Sequence, residues 1–166
     1  LAGHTQSFET IINNTKGLVA QITFKMLHNK EDRRDIAQEV YLKAFNQLGN
    51  FRFQAKLSTW IGQITYNTCL NHLEKNRIVL IHRDNEETHE EALDGISSRA
   101  DPGLLNETEF SVLKTEITVI LAKLIEDLPP LYKTLITLYH TEGLSYDEIG
   151  QITELPEGTV KNYLFR

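Results

Sequence analysis

The chain has a single cysteine, Cys69, among its 166 residues. One thiol cannot close an internal bridge, which excludes a disulfide scaffold and fits a reducing, cytoplasmic setting. No apolar run approaches the roughly 18–20 residues that a membrane-spanning helix needs. The first ten residues lack the charged-then-apolar pattern of a secretory signal. Four prolines and nine glycines are too few for a low-complexity chain. Also missing are a Gly-rich phosphate loop, a metal-ligand spacing and a nucleophile paired with a base. His82 and His89 stand without further ligands. Nothing in this pattern supports an enzyme, a cofactor or a metal site.

What is present is segregated charge. The net charge of −6 argues against a nucleic-acid partner only if it is spread evenly, and it is not. Residues 1–76 hold nine Lys/Arg against six Asp/Glu, a balance of +3. Residues 77–115 hold four against nine (−5), and residues 116–166 four against eight (−4). A local basic face matters more to phosphate contact than the global sum.

Apolar periodicity predicts helices throughout. The first covers residues 5–28, weakened in the middle by Gly17. The second covers 31–48, with Ile36, Val40, Tyr41, Ala44, Phe45 and Leu48 on a stripe facing the core. Asp35, Gln38, Glu39, Leu42 and Asn46 form another stripe, either a solvated face or a partner-docking one. Gly49 and Asn50 end that helix. The loop Phe51-Arg52-Phe53-Gln54-Ala55-Lys56 interleaves aromatics with cations. That pattern suits either an apolar plug or stacking on unpaired bases. Ser58 or Thr59 can cap the next helix. Its polar side carries Asn67, Asn71 and Lys75, which are either plain surface or contacts to bases and phosphates.

The acidic run from Asp84 to Asp94 and the breaker Asp101-Pro102-Gly103 read as a flexible linker. A helical period resumes from Glu107 to Leu128. Pro130 opens another helix, to about His140. Ser145-Tyr146-Asp147-Glu148 is a capping box. A break at Glu154-Leu155 leads to Pro156 through Arg166, giving a helix-turn-helix pattern. Its second helix presents Glu157, Thr159, Lys161, Asn162 and Arg166, with Val160 and Leu164 buried. Short polar residues followed by cations suit the major groove. A plain αα-hairpin remains the alternative.

Taken together, the two ends resemble a known family. The run from Asp35 to Phe45, the Phe51-Arg52 loop and the run from Thr59 to Asn67 resemble region 2 of bacterial RNA polymerase sigma factors. Leu128-Pro129-Pro130-Leu131-Tyr132, Gly143 to Ile149 and Pro156 to Lys161 resemble region 4. With only these two regions present, the chain looks like a member of the small extracytoplasmic-function (ECF) group. The resemblance implies two small helical domains, all-α, at 1–77 and 107–166, with a linker at 78–106.

It further implies that Asp35, Gln38, Glu39, Leu42 and Asn46 dock on core RNA polymerase. Phe51, Arg52, Phe53, Lys56, Trp60, Asn67, Asn71, Lys75 and Arg77 would bind the −10 element, and Pro156, Glu157, Thr159, Lys161, Asn162 and Arg166 the −35 element. The implied partners are core polymerase, promoter DNA and an anti-sigma factor, membrane-bound or soluble. Asn71 and Glu74 depart from the family pattern, which often has Asp and Arg there; Lys75 and Arg77 are then the expected phosphate contacts. The chain starts at Leu1 and stops where the family usually continues with basic residues, so further residues are expected on either side. The competing reading is a helix-turn-helix regulator that binds duplex alone. It would need a dimer and two half-sites.

Overall fold

The computed structural model describes residues 2–81 and 107–165, with side chains described over 6–76 and 117–165. The described residues are helical, with no strand among them. Three helices form a first set: α1 (Ala2–Met26), α2 (Lys30–Gln47) and α3 (Leu57–Ile81). Four form a second: α4 (Glu107–Glu126), α5 (Pro130–His140), α6 (Tyr146–Thr153) and α7 (Glu157–Phe165). The predicted linker lies mostly outside the described residues, and α3 runs on to Ile81 at its start.

Local signals set most of the boundaries. Asn29 caps α2, its side chain accepting from the Glu31 amide at 2.9 Å. A short 3-10 turn at Leu48–Asn50 ends that helix. Pro130 opens α5, where a missing amide proton costs nothing. Ser145 and Glu148 close the predicted capping box in both directions. The predicted cap of α3 is different. The helix begins at Leu57, and the Lys56 carbonyl already accepts from the Trp60 amide at 3.0 Å. Ser58 and Thr59 therefore lie inside the first turn and cap nothing.

The core is one cluster shared by both helical sets. Val19, Ile22, Val40, Ala44, Ile61 and Cys69 come from the first, and Leu135, Leu138, Ile149, Ile152 and Val160 from the second. Fully burying one such aliphatic side chain is worth about 1.5–3 kcal/mol. α1 packs on α5, and α3 packs on α6. Gly62 allows the latter approach, since a methyl at its Cα would sit 2.9 Å from Ile152 Cδ1.

Buried threonines are frequent in this core, and helical geometry satisfies most of them. The hydroxyls of Thr15, Thr23, Thr65, Thr68, Thr134, Thr137 and Thr153 each donate to the carbonyl four residues earlier, at 2.7–2.9 Å. A buried hydroxyl left unpaired would cost about 1–3 kcal/mol. Lys133, 2 % exposed, is likewise provided for. Its ammonium donates to the Glu126 carbonyl at 3.2 Å and lies 3.7 Å from the Glu126 carboxylate. Lys25 of α1 pairs with the same carboxylate.

One expectation about an apolar face is corrected: Phe45 does not enter the core. It is 52 % exposed and packs edge-on against Phe8, because the space beneath α2 is filled by Val40 and Ala44. The apolar period predicted for α4 is present, and its described side chains face outward: Ile117, Ile120, Leu121 and Leu124 are more than half exposed. Phe110 and Leu113 have no described side chains. In the last helix Val160 is buried, as the spacing predicts, and Leu164 is half-buried.

Candidate nucleic-acid and polymerase interfaces

The outer stripe of α2 is solvent-facing along its length. Asp35, Gln38, Glu39, Leu42 and Asn46 are all exposed. Leu42, at 62 % exposure, is an apolar side chain surrounded by acids and amides. Glu39 pairs with Lys43 at 2.7 Å, an i,i+4 surface pair worth a few tenths of a kcal/mol. Such a stripe suits a partner with complementary cations and a small apolar recess.

The loop after α2 folds its aromatics into a staggered group. Phe51 lies 4.8 Å from Phe53 and 5.1 Å from Trp60, ring centre to ring centre. Phe51 and Trp60 are half-buried, and Phe53 is 86 % exposed. Phe53 also holds a left-handed backbone, φ 56°. That conformation is unfavourable for a side chain without a local hydrogen bond, and such strain gathers at functional sites. Phe51 and Trp60 line an open pocket of about 420 Å³, together with Asn50, Arg52, Thr59, Gln63 and, from α6, Gln151. An apolar rim with a few amides and one cation is chemistry that can hold a flat heteroaromatic ring. Thr59, buried with no partner for its hydroxyl, sits in that wall.

α3 continues the polar face. Asn71 and Lys75 are exposed, and Glu74 lines the same cleft between α2 and α3. Asn67 is occupied: its amide donates to Glu154, in the turn after α6, at 2.8 Å, and Gln63 donates to the same oxygen at 3.1 Å. Lys56 is paired with Glu148 of α6 at 2.8 Å. That ion pair and the bond from the Ser145 amide hold the Glu148 carboxyl below the usual range, against the opposing effect of burial. The side chain of Arg77 lies outside the described residues.

The predicted helix-turn-helix is formed by α6 and α7. Glu154 makes the turn in a left-handed conformation, φ 59° and ψ 27°. Its own amide and that of Leu155 both donate to the Gly150 carbonyl. On α7, Pro156, Glu157, Lys161 and Asn162 are exposed and Thr159 is half-buried. Lys161 pairs with Glu157 at 2.7 Å and lies 5.3 Å from the Tyr146 ring centre. Arg166 lies outside the described residues.

Gln63, Glu148, Gln151 and Glu154 escaped the sequence reading. Nothing local marks them, since the contacts that give Gln63, Glu148 and Glu154 their place span about 90 residues of chain. Among the described residues no group of three or more His, Cys, Asp or Glu side chains could hold a metal ion. No described helix is long and apolar enough to cross a membrane.

Comparison with known proteins bears on both ends. Residues 11–78 match the model of Sigma-70 region 2, and residues 118–166 match that of Sigma-70, region 4. The RNA polymerase sigma-H factor of Pseudomonas aeruginosa is 30 % identical over 168 residues, covering 99 % of this chain and 83 % of its own. The ECF RNA polymerase sigma factor SigW of Bacillus subtilis is 31 % identical over 164 residues, covering 99 % and 86 %. In fold, the chain is similar to the sigma factor RpoE of Bartonella quintana, solved with the anti-sigma factor NepR. That match has a TM-score of 0.68 and 18 % identity, over 96 % of this chain and 90 % of that one. Two sequence regions in the right order, relatives aligned over nearly the whole length and a matching fold agree: the chain belongs to the ECF group of RNA polymerase sigma factors.

Proposed function

We propose a division of labour among the surfaces described above. As a sigma factor the protein directs RNA polymerase to promoters and initiates transcription; the family consists of initiation factors rather than enzymes. The α2 stripe, Asp35 to Asn46, docks on core polymerase. The Phe51–Lys56 loop and the pocket beside it capture an unstacked base of the −10 element. Asn67, Asn71, Lys75 and Arg77 follow the strand along α3. The helix from Pro156 to Arg166 reads the −35 element in the major groove. Region 2 comprises 1–77, region 4 comprises 107–166, and the acidic segment 78–106 joins them in a protein that works in the cytoplasm.

The observation that carries this reading is Phe53. An aromatic ring 86 % exposed, on a left-handed backbone and touching the Phe51 ring that lines the pocket, is poorly explained by packing. It is well placed to stack on a base, worth about 1–3 kcal/mol per base. Flipping a base from the duplex costs a few kcal/mol, which such stacking offsets in part.

Two structures of similar fold were solved with bound partners: the sigma factor RpoE with the anti-sigma factor NepR, and CnrH with the cytosolic domain of CnrY, the latter at TM-score 0.61 and 15 % identity. Control by an anti-sigma factor is accordingly part of the proposal for this chain. The deciding experiment reconstitutes the protein with core polymerase and maps transcript start sites on genomic DNA. Start sites that share spaced −10 and −35 sequences are expected. Failure to bind core polymerase, together with a gel shift of duplex by the protein alone, would favour the lone helix-turn-helix regulator instead.

A further inference from the structure

We propose that α4 is a self-association helix: two copies of the chain pair their α4 helices antiparallel, about a two-fold axis that crosses between Thr118 and Val119. The proposal is independent of which residues meet DNA. α4 is 20 residues long, about 30 Å, and packs along no other described helix. Glu126, in its last turn, meets Lys25 and Lys133. Above that turn Ile117, Val119, Ile120, Leu121 and Leu124 are left 54–64 % exposed. A contiguous apolar surface of this kind marks an interaction site on a soluble protein. Helical order in water comes mostly from packing an apolar face, and the described chain gives this face no neighbour.

Spacing and charge identify the occupant as a second copy. Ile117, Ile120 and Leu124 follow at intervals of three and four, and the sequence places Phe110 and Leu113 at the two preceding positions of the same series. That is an a/d heptad seam, the pattern that packs against one other helix. Laid antiparallel on itself, the seam sets Ile117 opposite Ile120 of the second copy, and Leu113 opposite Leu124. The g positions flanking it are Glu116 and Lys123. The same register brings these two opposite each other, once on each side of the axis, so unlike charges meet twice. Lys123 is exposed. A two-fold interface needs this kind of self-complementarity. A parallel pair would set Glu116 against Leu121 instead, and would crowd the remaining helices of both copies at one end.

The test follows the mass of the full chain by sedimentation equilibrium. A seam of fewer than three heptads makes a small interface, so the monomer–dimer transition is expected at about 10–100 µM. Ile120→Lys puts a charge at the centre of the seam and should stay monomeric throughout. Because Ile120 is exposed, that variant should unfold at the temperature of the wild-type monomer. Glu116→Lys and Lys123→Glu should each weaken the dimer about tenfold, since two attractive pairs become two repulsive ones. An equimolar mixture of these two variants should recover wild-type affinity as a heterodimer, because both pairs across the axis are attractive again.

A wild type that stays monomeric up to about 500 µM overturns self-pairing and leaves α4 to a protein of different sequence. A dimer that Ile120→Lys does not weaken overturns the use of this face. A mixture of the two charge variants that associates no more tightly than either alone overturns the antiparallel register, and with it the proposal.

Discussion

Gly150 offers a sharp test of the packing argument. It lies inside α6, and a methyl at its Cα would come 2.8 Å from the carbonyl oxygen of Leu155, in the turn that leads to α7. The obstacle is backbone, so no side-chain rotation relieves it. In Gly150→Ala the helix gains up to about 1 kcal/mol of intrinsic preference. Overpacking against a fixed neighbour costs about 1–3 kcal/mol. The net is a loss of roughly 1 kcal/mol, or about 2–4 °C in Tm for a chain of this size. The shift should also tilt α7, because the Glu154 and Leu155 amides that shape the turn both donate to the Gly150 carbonyl. Gly17→Ala is the control. It lies mid-helix in α1 with nothing within 4 Å of the added methyl, and should gain about 0.5–1 kcal/mol. Thermal unfolding by circular dichroism gives the first readout. The second is transcription with core polymerase on paired templates with and without a −35 sequence. Gly150→Ala should lose output on the first template and little on the second. A Gly150→Ala protein as stable as Gly17→Ala, with unchanged −35 dependence, would refute the reasoning.

Three further outcomes are expected. Phe53→Gly relieves the left-handed backbone and should leave stability unchanged or slightly raised, while promoter opening, followed by permanganate footprinting, falls about 5- to 150-fold if a base stack of 1–3 kcal/mol is lost. Cys69 is buried, and burial pushes its thiol up to about 12, so Ellman's reagent should fail to label it at pH 8 until denaturant is added. Glu148 and Glu126 are both held below the usual carboxylate range, the first mainly by Lys56 and Ser145, the second by Lys25 and then Lys133. Depressed folded values mean a contribution present at neutral pH and lost as pH falls below about 4.3 and through those values. Acid titration followed by scattering should therefore separate the two regions before either set of helices melts.

Local chemistry was legible in advance, and long-range packing was not. Pro130 and the Ser145-Glu148 box announced the starts of α5 and α6 because each acts within a few residues of chain. The α2 core positions Ile36, Val40 and Ala44 followed from period alone. Phe45 shared that period, yet period says nothing of how much room lies beneath a helix. The start of α3 was misplaced because Ser58 and Thr59 fit a cap by composition, whereas the Lys56 carbonyl already takes the first helical bond. The apolar stripe of α4 was read correctly as a stripe, but nothing in it says whether a neighbour covers it. Gly62 and Glu154 carried no signal of their own, since their meaning depends on Ile152 and Asn67 far along the chain.

The separation of those partners also orders events during synthesis. Asn67 and Gln63 meet Glu154 across 87 and 91 residues, and Lys25 meets Glu126 across 101. Helices of the first set complete their mutual contacts from nearby sequence, which forms early, whereas closure over such spans comes last. At about 5–20 residues per second, roughly 4–17 s separate translation of Asn67 from that of Glu154. For that interval the Asn67 and Gln63 amides lack the carboxylate to which both donate in the folded chain, so newly made and fully folded molecules differ in what that face of α3 exposes.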